Sequence, residues 1–206
     1  NKLTVNVEVT NKTGHRFPSG VAFRRAFLEV LVMNNNGDIV WASGRTNSVG
    51  VIVDGAGRPL KTEFLPDRNT YQPHYQVVTR QDQVQTYEEL TQDANFDFTT
   101  SFIHRVHDPK DNRLLPKGWR SSEFFKNMGE VMFQFMEATD PKVQADPDYM
   151  DQGPGFPGRD RLQYVATLPT GMDPTGLTVK VTMYYQSIPP YYLKQRFATA
   201  PDGPAT

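Results

Sequence analysis

An antiparallel β-sandwich of the immunoglobulin-like kind, mainly β with long loops and one short helix, is the fold this sequence predicts. Three observations carry the prediction. Period-2 alternation of apolar and polar residues recurs near both ends, in Leu3-Val5-Val7-Val9 and in Val179-Val181-Met183-Tyr185. An Asn-Gly turn joins two β-rich runs, and Asn-Gly tolerates positive φ cheaply. Sixteen prolines and fifteen glycines, with 12% aromatic residues, suit short strands joined by shaped loops.

The first strand is the Leu3 to Val9 alternation, one face apolar and the other Thr4, Asn6, Glu8 and Thr10. The second runs from Arg25 to Met33; Ala26-Phe27-Leu28-Glu29-Val30-Leu31-Val32 is apolar on nearly both faces, which fits a central strand. Asn34-Asn35-Asn36-Gly37 then turns the chain back through Asp38 to Ser43 and completes a hairpin. Gln83 to Glu88 and Phe98 to Arg105 read as further strands. Arg161 to Leu168 and Leu177 to Tyr185 read as a second pair. Between them, Phe124, Phe125, Met128, Val131, Met132, Phe135 and Met136 fit one helical face, with Ser121 or Ser122 as N-cap. Val131, Phe133 and Phe135 also alternate and Gly129 interrupts the pattern, but helix is the preferred reading. Its methionines are expected to fill core space. The tail after Pro201 reads as loop, and the natural polypeptide is expected to continue past it.

Bulk properties narrow the function. The 206 residues suit one sandwich domain spanning 1–206, long enough to bury a core without disulfides. A formal net charge of −1 argues against a phosphate-tracking surface, so no nucleic-acid partner is expected. No apolar run approaches the roughly 18 residues of a membrane span. Any export signal is expected to have been removed or to lie outside this chain. The absence of cysteine excludes a disulfide scaffold, a thiolate zinc site and covalent haem attachment through Cys-x-x-Cys-His within these residues.

Each of the four histidines is therefore a candidate ligand in its own right. His15 lies on a turn set by Gly14 and Pro18-Ser19-Gly20, where an imidazole is presented rather than packed. His74, among Tyr71, Pro73 and Tyr75, is expected to stack on one of the tyrosines. His104 and His107 form His-x-x-His, which meets one metal on a helical turn but splays on a strand. Asp146, Asp148 and Asp151 form a loop cluster whose oxygens suit calcium, although Asx-turns account for most such loops. Arg24 and Arg25 sit beside the His15 turn and suit haem propionates, or the salt-bridged edge of a strand. No nucleophile elbow, phosphate loop, dinucleotide fingerprint or specific carboxylate pair is present, so no catalytic residue is assigned.

Four blocks in order along the chain carry a resemblance. They are Thr13-Gly14-His15-Arg16-Phe17-Pro18-Ser19-Gly20, Arg24-Arg25-Ala26-Phe27-Leu28-Glu29-Val30, Lys110-Asp111-Asn112-Arg113-Leu114-Leu115-Pro116 and Tyr184-Tyr185-Gln186-Ser187-Ile188-Pro189-Pro190-Tyr191-Tyr192-Leu193. Together they resemble the haem-free β-domain at the C-terminal end of multihaem c-type cytochromes and of cytochrome-associated exported proteins. The resemblance implies an accessory domain of extracytoplasmic electron transfer, periplasmic or at the cell surface. It implies a multihaem cytochrome domain or subunit as partner, and His15 as axial ligand to a haem c attached elsewhere. A second reading is a surface copper-binding protein, similar in kind to those of methane-oxidising bacteria, using histidines and an oxidised Trp41 or Trp119. A third is a structural docking module in a larger redox assembly.

Overall fold

In the computed structural model, which describes residues 1–143, 145–198 and 200, the chain is mainly β. Its strands are β1 (Lys2–Thr10), β2 (Arg25–Met33), β3 (Ile39–Ser43), β4 (Val77–Val78), β5 (Thr86–Gln92), β6 (His107–Asp111), β7 (Arg159–Thr167) and β8 (Thr178–Gln186). Among the described residues the short α-helices are α1 (Ser122–Phe125), α2 (Glu130–Glu137) and α3 (Pro190–Ala198). Two sheets face each other. One has the order β1-β7-β4; the other is built on β2, with β8 along one edge and β3 and β5 end to end along the opposite edge, β6 lying beyond β5. Every pairing is antiparallel except β4 with β7. This is the predicted sandwich-like architecture, without a closed barrel.

The period-2 rule explains the core. In β2, Ala26, Leu28, Val30 and Val32 point inward and are at most 1% exposed. They meet Leu162, Tyr164 and Ala166 of β7, with Trp41 set edge-on to Tyr164 at 6.2 Å. The opposite face of β2 is covered as well, since Phe27 packs with Ile52, Leu60 and Val84 in a second cluster. The nearly unbroken apolar run anticipated burial on both faces, which holds at Arg25 and Phe27, while Glu29, Leu31 and Met33 farther along the outer face are half-buried. The hairpin also forms as read: Asn34 Oδ1 accepts from the N–H groups of Asn36 and Asp38, and Gly37 takes φ +84°.

Three expectations need correction. The strand read at Gln83 to Glu88 starts at Thr86 instead and runs on to Gln92. Gln83 is diverted because its Oε1 accepts from the N–H groups of Thr79 and Arg80, closing a turn. No strand spans Phe98 to Arg105; after an isolated bridge at Phe98 the chain forms loops, tied down where Thr100 N–H donates to Gln195 Oε1. The helical segment is split, because Gly129 at φ +112° lies outside helical space and separates α1 from α2. Its apolar stripe is not core: Met128 is 60% exposed, Val131 83% and Phe135 67%. The loop read after Pro201 falls outside the described residues.

Candidate functional site

The His15 turn is braced at both ends. Asn11 is buried, and its Nδ2 donates to the carbonyls of His15 (2.8 Å) and Leu114 (3.0 Å). Thr13 Oγ1 lies 2.8 Å from both Asn11 Oδ1 and the His15 carbonyl. Phe17 closes the turn by exchanging backbone hydrogen bonds with Leu114 at 2.9 and 2.8 Å. The His15 side chain is exposed, and its Nδ1 lies 2.9 Å from the Arg16 carbonyl oxygen. A carbonyl can only accept, so Nδ1 carries the ring proton and the Nε2 lone pair points away from the bracing. Metal-ligating histidines are commonly arranged this way, with one ring nitrogen donating to a carbonyl and the other free for the metal.

The two arginines beside the turn separate. Arg24 folds over it, so that a Cβ at Gly20 would sit 2.6 Å from Arg24 Nη1. Arg25 points inside, where Nη1 and Nη2 clasp Glu63 at 2.7 and 2.6 Å and Nε donates to Gln186. Arg16 reaches Asp111 at 2.6 Å within a mixed cluster with Arg113, Glu89 and Arg105. A second ion pair, Lys110 with Glu88 at 2.8 Å, is also buried. Burial lowers the Lys110 pKa, whereas for Glu88 the neighbouring Lys110 and Arg25 charges overcome burial and hold it low.

A second cluster lies inside the sandwich. His74, Asp146 and Asp160 each place one ligand-type atom within 4.8 Å of the others. His74 Nε2 is 2.8 Å from Asp146 Oδ2 and 3.8 Å from Asp160 Oδ1. The other ring nitrogen decides the chemistry. Nδ1 faces two amide nitrogens, Gln85 Nε2 and Asn112 Nδ2, both at 3.0 Å. Neither amide can be turned round. Gln85 Oε1 is held by Tyr75 N–H, Asn112 Oδ1 by Glu88 N–H, and Asn112 Nδ2 donates to the Thr86 carbonyl. Nδ1 is therefore an acceptor, the proton sits on Nε2, and that proton is donated to Asp146. An Nε2 that carries hydrogen has no lone pair for a metal. The donor set does not fit a metal centre through this imidazole.

The carboxylates of this cluster behave differently from one another. Burial pushes Asp146 up, but hydrogen bonds from His74 and Asp148 N–H outweigh it, and its pKa lies below the ordinary value. Asp160 is fully buried, and burial raises it to about 6 although Tyr87 Oη donates to Oδ2 at 2.7 Å. Among the described residues, its Oδ1 and the Tyr164 hydroxyl have no hydrogen-bond partner.

The remaining candidates scatter. His74 packs edge-on to Tyr149 rather than stacking on Tyr71 or Tyr75. His104 stands exposed in a loop, while His107 stacks flat on Phe96 at 4.3 Å. Among Asp146, Asp148 and Asp151, the first binds His74, the second grips Arg161 at 2.8 Å and the third grips Arg120 at 2.9 Å, so the three do not converge. Trp41 lies in the main core and Trp119 packs on Phe156 in another cluster, with neither beside a histidine pair. The sequence reading passed over Asp160, Gln85 and Asn112. Asp160 carried a signal, because alternation in Asp160, Leu162, Tyr164 and Ala166 puts a carboxylate on an inward face. Gln85 and Asn112 carried none.

Fold and site together define a β-sandwich that presents one braced imidazole to the outside and keeps another locked within. No protein family matches the chain, nor does any curated protein. Among solved structures, a penta-heme cytochrome c552 from Thermochromatium tepidum is similar at a TM-score of 0.47 and 15% identity. The match covers 97% of this chain and 32% of that one, so this chain spans about a third of that protein's length.

Proposed function

We propose that this chain is an accessory domain of an exported electron-transfer assembly, within a longer polypeptide or complex that carries the haems. His15 Nε2 completes the coordination of a haem attached elsewhere, and Arg24 lies at hand for its propionates. The observation that carries this reading is the hydrogen bond of Nδ1 to the Arg16 carbonyl, which fixes Nδ1 as a donor and leaves Nε2, outward on a braced turn, as the nitrogen open to a metal. When bound, the haem would supply electron transfer; the chain's own contribution is to orient the imidazole and exclude alternatives by rigidity. The sequence resemblance supports the same assignment.

The test uses a haem c peptide with one attached haem and one histidine ligand. Titrated into this protein, it becomes low-spin and six-coordinate, and His15→Ala weakens that binding about tenfold or more. His104→Ala, at the other exposed histidine, leaves binding unchanged. Equal binding by His15→Ala and the unaltered protein refutes the ligand role.

A docking module without haem contact is the second reading, favoured by one observation. The lobe of α1 and α2 exposes Met128, Val131 and Phe135, an apolar surface larger than isolated surface residues make.

A further inference from the structure

An open groove of about 980 Å³ runs between the 3-10 turn Lys61–Phe64 and α3, on the side of the molecule where β8 ends. Its floor is rigid. Gln186 is held from below by Arg25 Nε at 2.8 Å, and Gln186 Nε2 donates to the Gly50 carbonyl at 3.0 Å. Arg25 is itself fixed by its paired contacts with Glu63. The walls are apolar, with Val51 and Phe64 facing Ile188 and Leu193. Ile188 and Leu193 are 49% and 42% exposed, a large hydrocarbon area left in water. The volume sits at the upper end of the range, roughly 300–1,000 Å³, typical of small-molecule sites.

The rim adds charge. Lys61 and Lys194 both border the groove, and neither ammonium has a carboxylate partner among the described residues. The Lys194 ammonium reaches only the Phe64 carbonyl, at 3.5 Å. Among the described residues the one acidic side chain on the rim is Asp67, which is turned into its own loop, accepting from Thr70 Oγ1 at 2.7 Å and Asn69 N–H at 2.9 Å. Two cations against one occupied anion leave a net positive edge beside an apolar trough. Lysine ammoniums are compact, mobile point charges that impose no planar bidentate geometry, and the single net positive charge of the rim matches a singly charged carboxylate head better than a doubly charged phosphate.

We infer that this groove binds an amphipathic carboxylate, a hydrocarbon body lying along Ile188 and Leu193 with its head between Lys61 and Lys194. This inference does not depend on the role of His15. It is tested by fluorescence of 1-anilinonaphthalene-8-sulfonate, an apolar anion, displaced by dodecanoate below its micellar range or by dodecan-1-ol. Dodecanoate is expected to displace the probe at about one-tenth the concentration that the uncharged alcohol requires or less. The double variant Lys61→Glu/Lys194→Glu weakens dodecanoate about tenfold while its melting curve stays in place, because both side chains are exposed. Leu193→Asp removes the displaceable site. The inference is overturned if alcohol and carboxylate compete equally, or if charge reversal changes nothing. It is also overturned if Phe135→Glu, and not Leu193→Asp, abolishes the signal, which would move the binding to the α1–α2 lobe.

Discussion

At His15 the nearer partner of Nδ1 is a carbonyl oxygen, at 2.9 Å, with the Thr13 hydroxyl at 3.4 Å, and at His74 the partners are a pair of amide nitrogens. That difference makes Nδ1 a donor at His15 and an acceptor at His74, so one imidazole turns Nε2 to the outside and the other donates its Nε2 proton inward to Asp146. Asp160, next to His74, supplies a pH prediction. Its folded pKa, about 6, lies above the ordinary 3.8, so its contribution to stability is present at low pH and is lost as pH rises from about 4 through 6. Asp160→Asn cannot ionise. Unfolding titrations should show its stability relative to the unaltered protein rising across that interval by up to about 3 kcal/mol; a constant difference would show that Asp160 titrates normally. Arg25 supplies a second prediction, because its charge is buried and depends on Glu63. Glu63→Ala should cost about 3–5 kcal/mol in chemical denaturation, leaving a guanidinium unpaired inside the protein.

Elements differ sharply in what they bury. β2 is buried along its whole inner face and at Arg25 and Phe27 on the other, whereas α1 and α2 stand off the sandwich with most apolar side chains in water. Leu28→Ala, at a site 1% exposed, should therefore cost about 2–5 kcal/mol. Val131→Glu and Phe135→Glu should each change stability by less than about 0.5 kcal/mol, since no packed neighbour is lost. A large loss in either helical variant, read by thermal melting, would mean that the lobe packs more tightly than its exposure indicates. Where β3 ends the chain makes a closer approach: Gly44 takes φ +76°, and a Cβ there would stand 2.1 Å from the Leu28 carbonyl oxygen. Only glycine serves at that corner.

On the scale of the whole molecule, the buried hydrogen bonds join segments far apart in sequence. Asn112 ties β5 to the His74 loop, and its carbonyl accepts from Tyr149 Oη at 2.7 Å. Both ring nitrogens of His74 are engaged in hydrogen bonds with protein groups, so treatment with EDTA should leave the melting temperature unchanged; a fall of several degrees would point to a bound metal. Much of the architecture was legible in the residue order. Alternation in β1, β7 and β8, the apolar run of β2 and the Asn-Gly turn are local properties, because a strand's two faces are set by every second residue. The presented position of His15 was legible for the same reason, being dictated by the glycines and proline around it. Local pattern failed where a neighbour distant in sequence decided the outcome. Met128, between α1 and α2, and Met132 in α2 have core-like chemistry, and only the packing left them outside. Arg24 and Arg25 are adjacent and identical in kind, yet Glu63 drew one inward. The sequence by itself determined the strands with a clear alternating or apolar pattern, β1, β2, β3, β7 and β8, and that His15 is lifted onto a turn. Only the tertiary structure decided each imidazole's tautomer, the partners of the buried charges and the groove beside α3, because all three depend on atoms brought together across long stretches of chain.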